Sequence, residues 1–281
     1  MLTCRTVAEL REQIGVLRRQ GKLIGFVPTM GWLHGGHVTL IRASVERCGA
    51  TVVSIFVNPT QFGPREDFAA YPRDLARDMA LCEAAGVDIV FAPDASEVYP
   101  EGSQTIVEPG PLADVLCGPF RPGHFRGVAT VVAKLFNMVQ PDIAFFGQKD
   151  YQQAAIIRRM VIDLNIPMVV ETLPTVREAD GLAMSSRNAR LDRDARRRAA
   201  CLSRGLFAAK AAYDGGERRV EELVAAARAL MREADSIQYL ELADADTLQP
   251  IGPTIDRSAV LAVAAFVGKV RLIDNVVLGA D

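Results

Sequence analysis

The sequence predicts an α/β fold, in which a doubly wound parallel β-sheet is followed by a smaller α+β domain. In the first 175 residues, five short apolar runs alternate with stretches of helical periodicity. These runs are almost continuously apolar and rich in β-branched residues, as expected for strands that are buried on both faces. Beyond that point the alternation stops. We therefore expect one domain over residues 1–175 and a second over residues 176–281.

The elements of the first domain follow from apolar spacing and from turn residues. A helix is predicted over residues 7–20, because Thr6 and Glu9 form a capping-box pattern ahead of an apolar stripe. The predicted strands cover residues 23–27, 51–57, 87–92, 142–146 and 167–171. Helical spacing lies between them, around residues 38–45, 75–86, 128–139 and 151–164. Residues 93–122 are rich in Pro and Gly and predict irregular structure.

The second domain is predicted to contain two helices followed by three strands. The helices cover residues 192–213 and 218–234, and the strands cover 237–243, 259–266 and 270–278. The arginine-rich stretch 193–198 lies on the first of these helices, and we interpret it as a solvated face. The domain boundary is placed between Pro174 and Arg177.

The composition is typical of a globular protein, and the net charge argues against general binding to nucleic acid or anionic membranes. Hydrophobic residues make up 49% and charged residues 23%, with a net charge of −2, so nothing draws the chain generally to nucleic acid or to anionic membranes. Five scattered cysteines argue against a disulfide framework and suit a reducing compartment. No signal-peptide pattern or membrane-length apolar run is present. We expect a cytoplasmic protein.

Unusual polar residues follow four of the predicted strands. In an open parallel sheet, segments after the carboxyl ends of strands line one crevice, so we expect these segments to meet. They are His34 and His37 after the first strand, Asn58 and Gln61 after the second, Gln148, Lys149 and Asp150 after the fourth, and residues 177–188 after the fifth.

The chemistry of these segments suits a phosphate chain. Glycines around His34 and His37 let the backbone approach a ligand, and the start of a helix offers N–H groups to phosphate. Ser185, Ser186 and Arg187 add hydroxyl and guanidinium donors. From these residues alone, other interpretations stay open. The histidines also fit a metal pair without an obvious third ligand, or a polar turn; the serines fit a helix N-cap, and Lys149 fits a solvated lysine.

Taken together, the segments resemble a known family. They are "FVPTMGWLHGGH", "SIFVNPTQFGPREDFAAYPR", "FRGVATVVAKLFNMVQPDIAFFGQKDYQQ", "VREADGLAMSSRN" and "VRLIDNV". The chain is similar nearly end to end to the pantoate–β-alanine ligases (pantothenate synthetases) of the nucleotidyltransferase superfamily. The resemblance implies a Rossmann-like core and a homodimer formed through the larger domain. It also implies activation of (R)-pantoate by ATP, with Mg²⁺, to a pantoyl-adenylate, which β-alanine converts to pantothenate and AMP.

The resemblance further implies the roles of individual residues. His37 is the expected proton donor, with His34 and Lys149 as catalytic partners on the phosphates. The expected ATP-binding residues are Met30, Gly31, Trp32, Leu33, His34, Gly35, Gly36, His37, Gly147, Gln148, Lys149, Asp150, Val176, Met184, Ser185, Ser186 and Arg187. The expected substrate-binding residues are Gln61 and Gln153, with Asn58, Tyr71 and Arg121 around the pocket for pantoate and β-alanine. The second domain is expected to act as a lid.

Two positions depart from the family pattern, and two rival functions stay open. Trp32 stands where alanine is common, and Gly36 stands where glutamate is common. The first rival is another nucleotidyltransferase of the H-x-x-H type that acts on a phosphate substrate. The second is a nucleotide-binding protein without catalysis. An NAD-binding protein is disfavoured, because the glycine fingerprint G-x-G-x-x-G is missing.

Overall fold

The computed structural model of the chain describes residues 1–63 and 68–279, and these form two compact units. The first unit consists of Met1–Gly110, Arg121–Gly147 and Gln153–Pro174. The second consists of Pro111–Phe120, Gln148–Gln152 and Thr175–Asp281. Two short segments from the first 175 residues thus group with the C-terminal residues, which the predicted domain ranges did not anticipate. Residues 64–67, which fall within the quoted segment "SIFVNPTQFGPREDFAAYPR", lie outside the described residues.

The first unit is built on a six-stranded sheet in which every pair of neighbours is parallel. Its strands are β1 (Leu2–Cys4), β2 (Ile24–Thr29), β3 (Ala50–Ile55), β4 (Ile89–Phe91), β5 (Ile143–Gly147) and β6 (Val169–Leu173). Their order is β1-β4-β3-β2-β5-β6. The chain builds outward from β2 to one side and later returns to build on the other, so the topological switch point lies between β2 and β5. The predicted fold class is confirmed.

Within the described residues, six α-helices accompany these six strands along the chain. They are α1 (Val7–Arg19), α2 (Gly35–Arg47), α3 (Leu75–Ala84), α4 (Ala95–Val98), α5 (His124–Val139) and α6 (Tyr151–Asp163). The predicted capping box of α1 is present: Thr6 accepts a hydrogen bond from the Glu9 N–H, and the Glu9 carboxylate accepts one from the Thr6 N–H.

Both faces of the sheet are covered by apolar side chains. On one face Phe26 and Val52 belong to a core cluster that includes α1 and α5, and the Phe26 ring meets the Phe136 ring edge to face. On the other face Val27 and Val53 pack in a second cluster, with residues of α2 and α3. Because neighbouring residues of a strand point to opposite faces, this alternation explains the continuous apolar runs of the sequence.

The structure differs from the predicted elements in a few places. The three-residue edge strand β1 was not predicted, because so short a run carries no periodicity. β2 continues through Pro28 to Thr29, although a strand end was expected at Pro28. The pairing of β2 with β5 ends at Phe26, so the residues of β2 beyond Phe26 are not paired with β5. The irregular stretch 93–122 contains α4 and two short 3₁₀ turns.

The second unit contains a three-stranded antiparallel sheet in the order β7-β8-β9, covered by helices. Its elements are α7 (Arg193–Ala199), α8 (Cys201–Asp214), α9 (Val220–Leu230), β7 (Ser236–Asp244), β8 (Ala259–Val267) and β9 (Val270–Leu278). The single helix predicted over 192–213 is wrong, since α7 and α8 meet at Ala200. Across the described ranges 1–63 and 68–279, none of the helices combines the length and apolarity that a membrane crossing needs.

The arginine-rich helix α7 is paired and not simply solvated, which corrects the sequence interpretation. Arg196 donates to Glu178 and Asp180. Arg198 binds Asp194 on its own helix and Asp235 beyond it. Hydrogen bonding to Arg196 lowers the pKa of the Asp180 carboxyl from its ordinary value. These ion pairs attach α7 to neighbouring loops of the second unit.

Two helical glycines provide a matched test of packing in the first unit. A Cβ added at Gly127 on α5 would lie 2.4 Å from the Thr60 carbonyl oxygen, whereas one at Gly15 on α1 would meet only the Arg19 side chain, at 3.5 Å. We expect Gly127→Ala to destabilise the protein by about 1–3 kcal/mol through overpacking against backbone. Gly15→Ala should stabilise it by up to about 1 kcal/mol through helix propensity. Urea unfolding measures both, and equal effects would contradict the close packing of α5.

Candidate active site

The two histidines flank the start of α2, directly after β2. His34 is the N-cap residue, and its Nδ1 accepts the Gly36 N–H at 3.2 Å. The His37 Nδ1 accepts the His34 N–H at 3.3 Å, and the two ring centroids lie 4.1 Å apart. In a neutral imidazole whose Nδ1 accepts, the proton resides on Nε2. The Nε2–H groups of the two adjacent rings are therefore suited to donate to an anion.

The backbone between β2 and α2 adopts an unusual turn. Gly31 and Trp32 both have positive φ angles, +79° and +50°. Glycine suits the first position on two grounds, since a Cβ there would also approach a carboxylate oxygen of Asp78 to 2.9 Å. Trp32 has no such freedom, so its left-handed conformation must be stabilised by contacts. One of these is the guanidinium of Arg77, which lies 5.0 Å from the centroid of the Trp32 ring.

Asp78 holds this turn in place. Its carboxylate accepts the Trp32 N–H at 2.7 Å and the Leu33 N–H at 2.8 Å, and the residue is only 1% exposed. The neighbouring Arg77 donates to the Leu33 carbonyl at 2.9 Å. Burial raises the pKa of the Asp78 carboxyl, and the two N–H donors and Arg77 oppose that rise. Through these two hydrogen bonds, Asp78 fixes the backbone that leads to the histidines.

Asp78 is absent from the predicted site residues, although the sequence carries a signal for it. Leu75, Met79 and Cys82 form the apolar stripe that predicts α3, and Asp78 lies on the same side of the helix as Leu75 and Cys82. An acidic residue beside buried positions of a helix needs a partner, because an unpaired buried charge is costly. That partner is the turn after β2, 45 and 46 residues earlier in the chain.

The segment after β3 contributes an oriented amide. Asn58 is 1% exposed, and its Nδ2 donates to the Gln61 Oε1 at 3.1 Å and to the Gly127 carbonyl at 3.1 Å. Both N–H groups of the Asn58 amide are used in these bonds, so the geometry favours an orienting role for Asn58. The Gln61 Nε2 lies 3.1 Å from the Met30 sulfur, which brings the segments after β2 and β3 together.

A histidine that the sequence analysis did not consider supports the same segment. The His124 Nε2 lies 2.9 Å from Nη1 of Arg121, and its Nδ1 lies 2.9 Å from the Gln61 carbonyl oxygen. A guanidinium only donates, so Nε2 accepts and the Nδ1–H donates to the carbonyl. His124 thereby links Arg121 to Gln61. Tyr71 is buried and packs against the Phe62 ring at 5.9 Å.

In the second unit, two segments carry the remaining predicted nucleotide residues. The 3₁₀ turn Gln148–Asp150 follows β5 in the chain. The Lys149 side chain is 19% exposed, with its Nζ 3.8 Å from an Asp150 carboxylate oxygen, so it is not a fully solvated lysine. On α6, Gln153 is half-buried in the first unit, whereas Gln152 is buried and bonded to the 112–117 segment.

The other segment is a short hairpin that leads into a 3₁₀ helix. The Met184 N–H donates to the Val176 carbonyl at 2.9 Å, and Gly181 makes the turn with φ +89°. The Ser185 Oγ then accepts the Arg187 N–H at 3.3 Å and caps the 3₁₀ helix Ser186–Arg190. The N-cap interpretation of Ser185 is therefore confirmed, and it is compatible with a role toward phosphate.

The predicted site residues fall into two sets. Met30 through His37, Asn58, Gln61, Tyr71, Arg121, Gly147 and Gln153 lie in the first unit, and Gln148, Lys149, Asp150, Val176 and Met184 through Arg187 lie in the second. The meeting of both sets around one nucleotide stays a prediction. Within the described residues, no group of three or more His, Cys, Asp or Glu side chains is arranged to hold a metal ion.

Fold and site together define a class. An open parallel sheet with its switch point beside β2, and an H-x-x-H helix start directly after that strand, is a nucleotidyltransferase-type α/β architecture. The sequence pattern described as Pantoate-beta-alanine ligase matches residues 2–277. The chain belongs to this family, and it is a ligase.

Relatives and solved structures agree with this assignment. Pantothenate synthetase 1 from Bradyrhizobium diazoefficiens is 61% identical over 272 residues, covering 97% of this chain and 96% of that protein. The crystal structure of pantothenate synthetase from Thermus thermophilus matches with a TM-score of 0.92 and 46% identity, over 98% of this chain and 99% of that one. Pantoate-beta-alanine ligase from Francisella tularensis, complexed with beta-gamma ATP and beta-alanine, matches with a TM-score of 0.81 and 33% identity, over 98% and 97%.

The role of Asp78 is tested by a near-isosteric change. In Asp78→Asn an NH₂ group replaces one of the two acceptor oxygens, so the N–H of Trp32 or Leu33 loses its partner. We expect a loss of about 1–3 kcal/mol in the free energy of unfolding, measured with urea. Asp74→Asn is the control, because Asp74 caps the same helix and asparagine caps equally well. If both variants match the parent protein, the carboxylate does not hold the turn.

Proposed function

We propose that this chain condenses (R)-pantoate with β-alanine in two steps, through a pantoyl-adenylate, with release of pyrophosphate and AMP. The observation that carries the proposal is the pair of adjacent imidazoles at the start of α2, in a chain of the pantoate–β-alanine ligase family. The complex of the Francisella tularensis relative with beta-gamma ATP and beta-alanine supports two of these substrates, ATP and β-alanine.

The first step must overcome electrostatic repulsion. A pantoate carboxylate oxygen attacks the α-phosphorus of ATP, and the bond to pyrophosphate breaks. The start of α2 presents N–H groups and the positive end of the helix dipole, and the Nε2–H groups of His34 and His37 add donors. We assign the proton donor role to His37, because a donor to the departing phosphate oxygens stabilises the charge that develops there.

Further cations and hydroxyls are assigned to the same charge. We assign Lys149, Ser185, Ser186 and Arg187 to phosphate oxygens, and Gly147 through Asp150, Val176 and Met184 to the nucleotide. Mg²⁺ enters the proposal with ATP as the counter-ion of its phosphates, and no protein side chain is assigned to it. Met30 through His37 complete the ATP-binding set. The second domain then closes over ATP as a lid.

The second step depends on positioning. The neutral amine of β-alanine attacks the carbonyl carbon of the mixed anhydride, and AMP leaves as the amide forms. Gln61 is held by Asn58 and His124, so its amide is pre-oriented for pantoate, and we assign Gln153 and Arg121 to the same pocket. Tyr71 is assigned there as well.

No covalent acyl-enzyme is needed, and the cysteines are poor candidates for one. All five are buried. Burial raises the pKa of the Cys82 thiol to about 12 and also raises the pKa of the Cys4, Cys48 and Cys201 thiols. These thiols stay protonated at neutral pH, and a thiol is a weak nucleophile. We further propose a cytoplasmic location and a homodimer through the larger domain, on the strength of the family resemblance.

A two-stage assay tests the proposed function. With ATP, (R)-pantoate and labelled pyrophosphate, and without β-alanine, we expect pantoate-dependent exchange of label into ATP. Adding β-alanine should then release AMP and form pantothenate in equal amounts. A nucleotidyltransferase for phosphate substrates would show no pantoate dependence, and a non-catalytic binder would show neither signal. Either result overturns the proposal.

His37 provides the sharpest single-residue test. His37→Ala should reduce the exchange rate by about 10²–10⁴-fold, as loss of a general acid does. His37→Asn keeps an acceptor near the His34 N–H but lacks the Nε2–H, so we expect a loss of activity close to that of the alanine variant. Thr39→Ala is the control in the same helical turn, where the exposed hydroxyl donates to the Gly35 carbonyl at 3.0 Å. Near-normal exchange in folded His37→Ala would remove the assigned role.

A further inference from the structure

The C-terminal segment "VRLIDNV" supports the family resemblance, but no site role follows from it so far. It lies on β9, where Asp274 and Asn275 are each 3% exposed among apolar neighbours of the same strand. Burying an acid and an amide in a strand costs free energy unless both are fully hydrogen-bonded. Their partners are therefore informative, and all of those described here lie in the second unit.

Asn275 holds the turn that carries Lys149. Its Nδ2 donates to the Gln148 carbonyl at 3.0 Å and to the Lys149 carbonyl at 2.9 Å. An asparagine amide has two N–H groups, so each of these consecutive carbonyls receives one. The Gln148 Nε2 returns a longer hydrogen bond to the Asn275 Oδ1, at 3.4 Å. The 3₁₀ turn is thus bound to a residue 126 positions later in the chain.

Asp274 holds the hairpin that leads to Met184. Arg177 binds its carboxylate with both terminal nitrogens, at 2.7 and 3.0 Å. The same guanidinium donates to the Gly181 carbonyl across the hairpin and lies 4.7 Å from the centroid of the Phe207 ring. The Asp274 carboxylate also accepts the N–H of Asn275 at 2.8 Å. A two-pronged Arg–carboxylate pair fixes orientation as well as distance.

We propose that Asp274 and Asn275 are a positioning pair that sets the placement of the Lys149 turn and of the 176–187 segment relative to each other. This inference rests on the proposed function, which assigns both segments to ATP. Adjacent residues of a strand have a fixed separation, and β9 is paired with β8 through both positions. The Lys149 turn and the 176–187 segment, which are distant in sequence, are therefore held at a fixed spacing by the same strand. The pair touches no substrate in this proposal and acts through the residues that it holds.

Stability alone explains the pair poorly. Replacing a buried charge pair by well-packed apolar residues is often neutral or stabilising. Apolar residues at these positions would therefore stabilise the contact with β9 at least as well as the charge pair does. A positioning role predicts instead that binding of ATP suffers more than the fold does. That difference separates the two explanations.

The first test is Asn275→Asp, which keeps the size of the side chain and places an oxygen against the two carbonyls. We expect KM for ATP in pantoate-dependent exchange to rise about 10-fold to 100-fold, as loss of buried hydrogen bonds does. The reaction of β-alanine with preformed pantoyl-adenylate should change less. Without substrates, deuterium uptake over residues 145–153 should be faster than in the parent protein. Deuterium uptake is measured without substrates, so it tests whether Asn275 holds the turn independently of the reaction. Unchanged uptake would count against this inference, whereas absence of exchange in the parent protein would count against the proposed function.

Controls and a second variant keep the test decisive. Asn137→Asp removes a similar amide-to-carbonyl hydrogen bond on α5 and should leave KM for ATP unchanged. If Asn275→Asp does not fold, Asn275→Ser decides on the same measurements, since its shorter side chain removes the two amide donors without placing a charge against the carbonyls. Arg177→Lys keeps the charge but not the two-pronged contact, and it should raise KM for ATP and speed uptake over residues 176–187. Folded variants with unchanged KM and uptake would overturn the proposal.

Discussion

The contact between the Asp78 carboxylate and the two N–H groups of the turn after β2 is the constraint on which the candidate site depends. The turn needs left-handed backbone at Gly31 and at Trp32, and only the first of these is easy for its residue. A buried carboxylate compensates by binding the N–H groups that this conformation directs inward. The strand β2, the turn and the start of α2 are then one rigid piece, and both imidazoles are oriented by it.

The same principle recurs at each segment assigned to a substrate. Gln61 is oriented by Asn58 and His124, the Lys149 turn by Asn275, and the hairpin before Met184 by Arg177 with Asp274. In every case at least one supporting side chain comes from a distant part of the chain, and the supporting side chains are themselves buried or half-buried. A reaction that relies on positioning and charge, without a covalent nucleophile, needs such support because small displacements lower the rate.

The sequence predicted the fold well where the physical signal is local. Strands such as β2 and β3 are buried on both faces, so their apolar runs identify them directly. The edge strand β1 has three residues and leaves no pattern, and apolar spacing continues through Ala200, which hides the break between α7 and α8. His34 and His37 were found because rare residues cluster within one turn. Asp78, His124 and Asn275 were not, because the segments that they support lie from 45 to 127 residues away, and only folding brings such pairs together.

The burial of all five cysteines has a consequence beyond catalysis. Alkylating agents and peroxides attack the accessible thiolate, and in this fold the cysteine thiols become accessible only when packing opens. Sensitivity to such agents is therefore a property of the breathing motions of the protein and is separate from its adenylate chemistry. Chemical modification of the cysteines would accumulate in molecules that have already begun to unfold, while the cysteines of molecules that remain packed would stay unmodified.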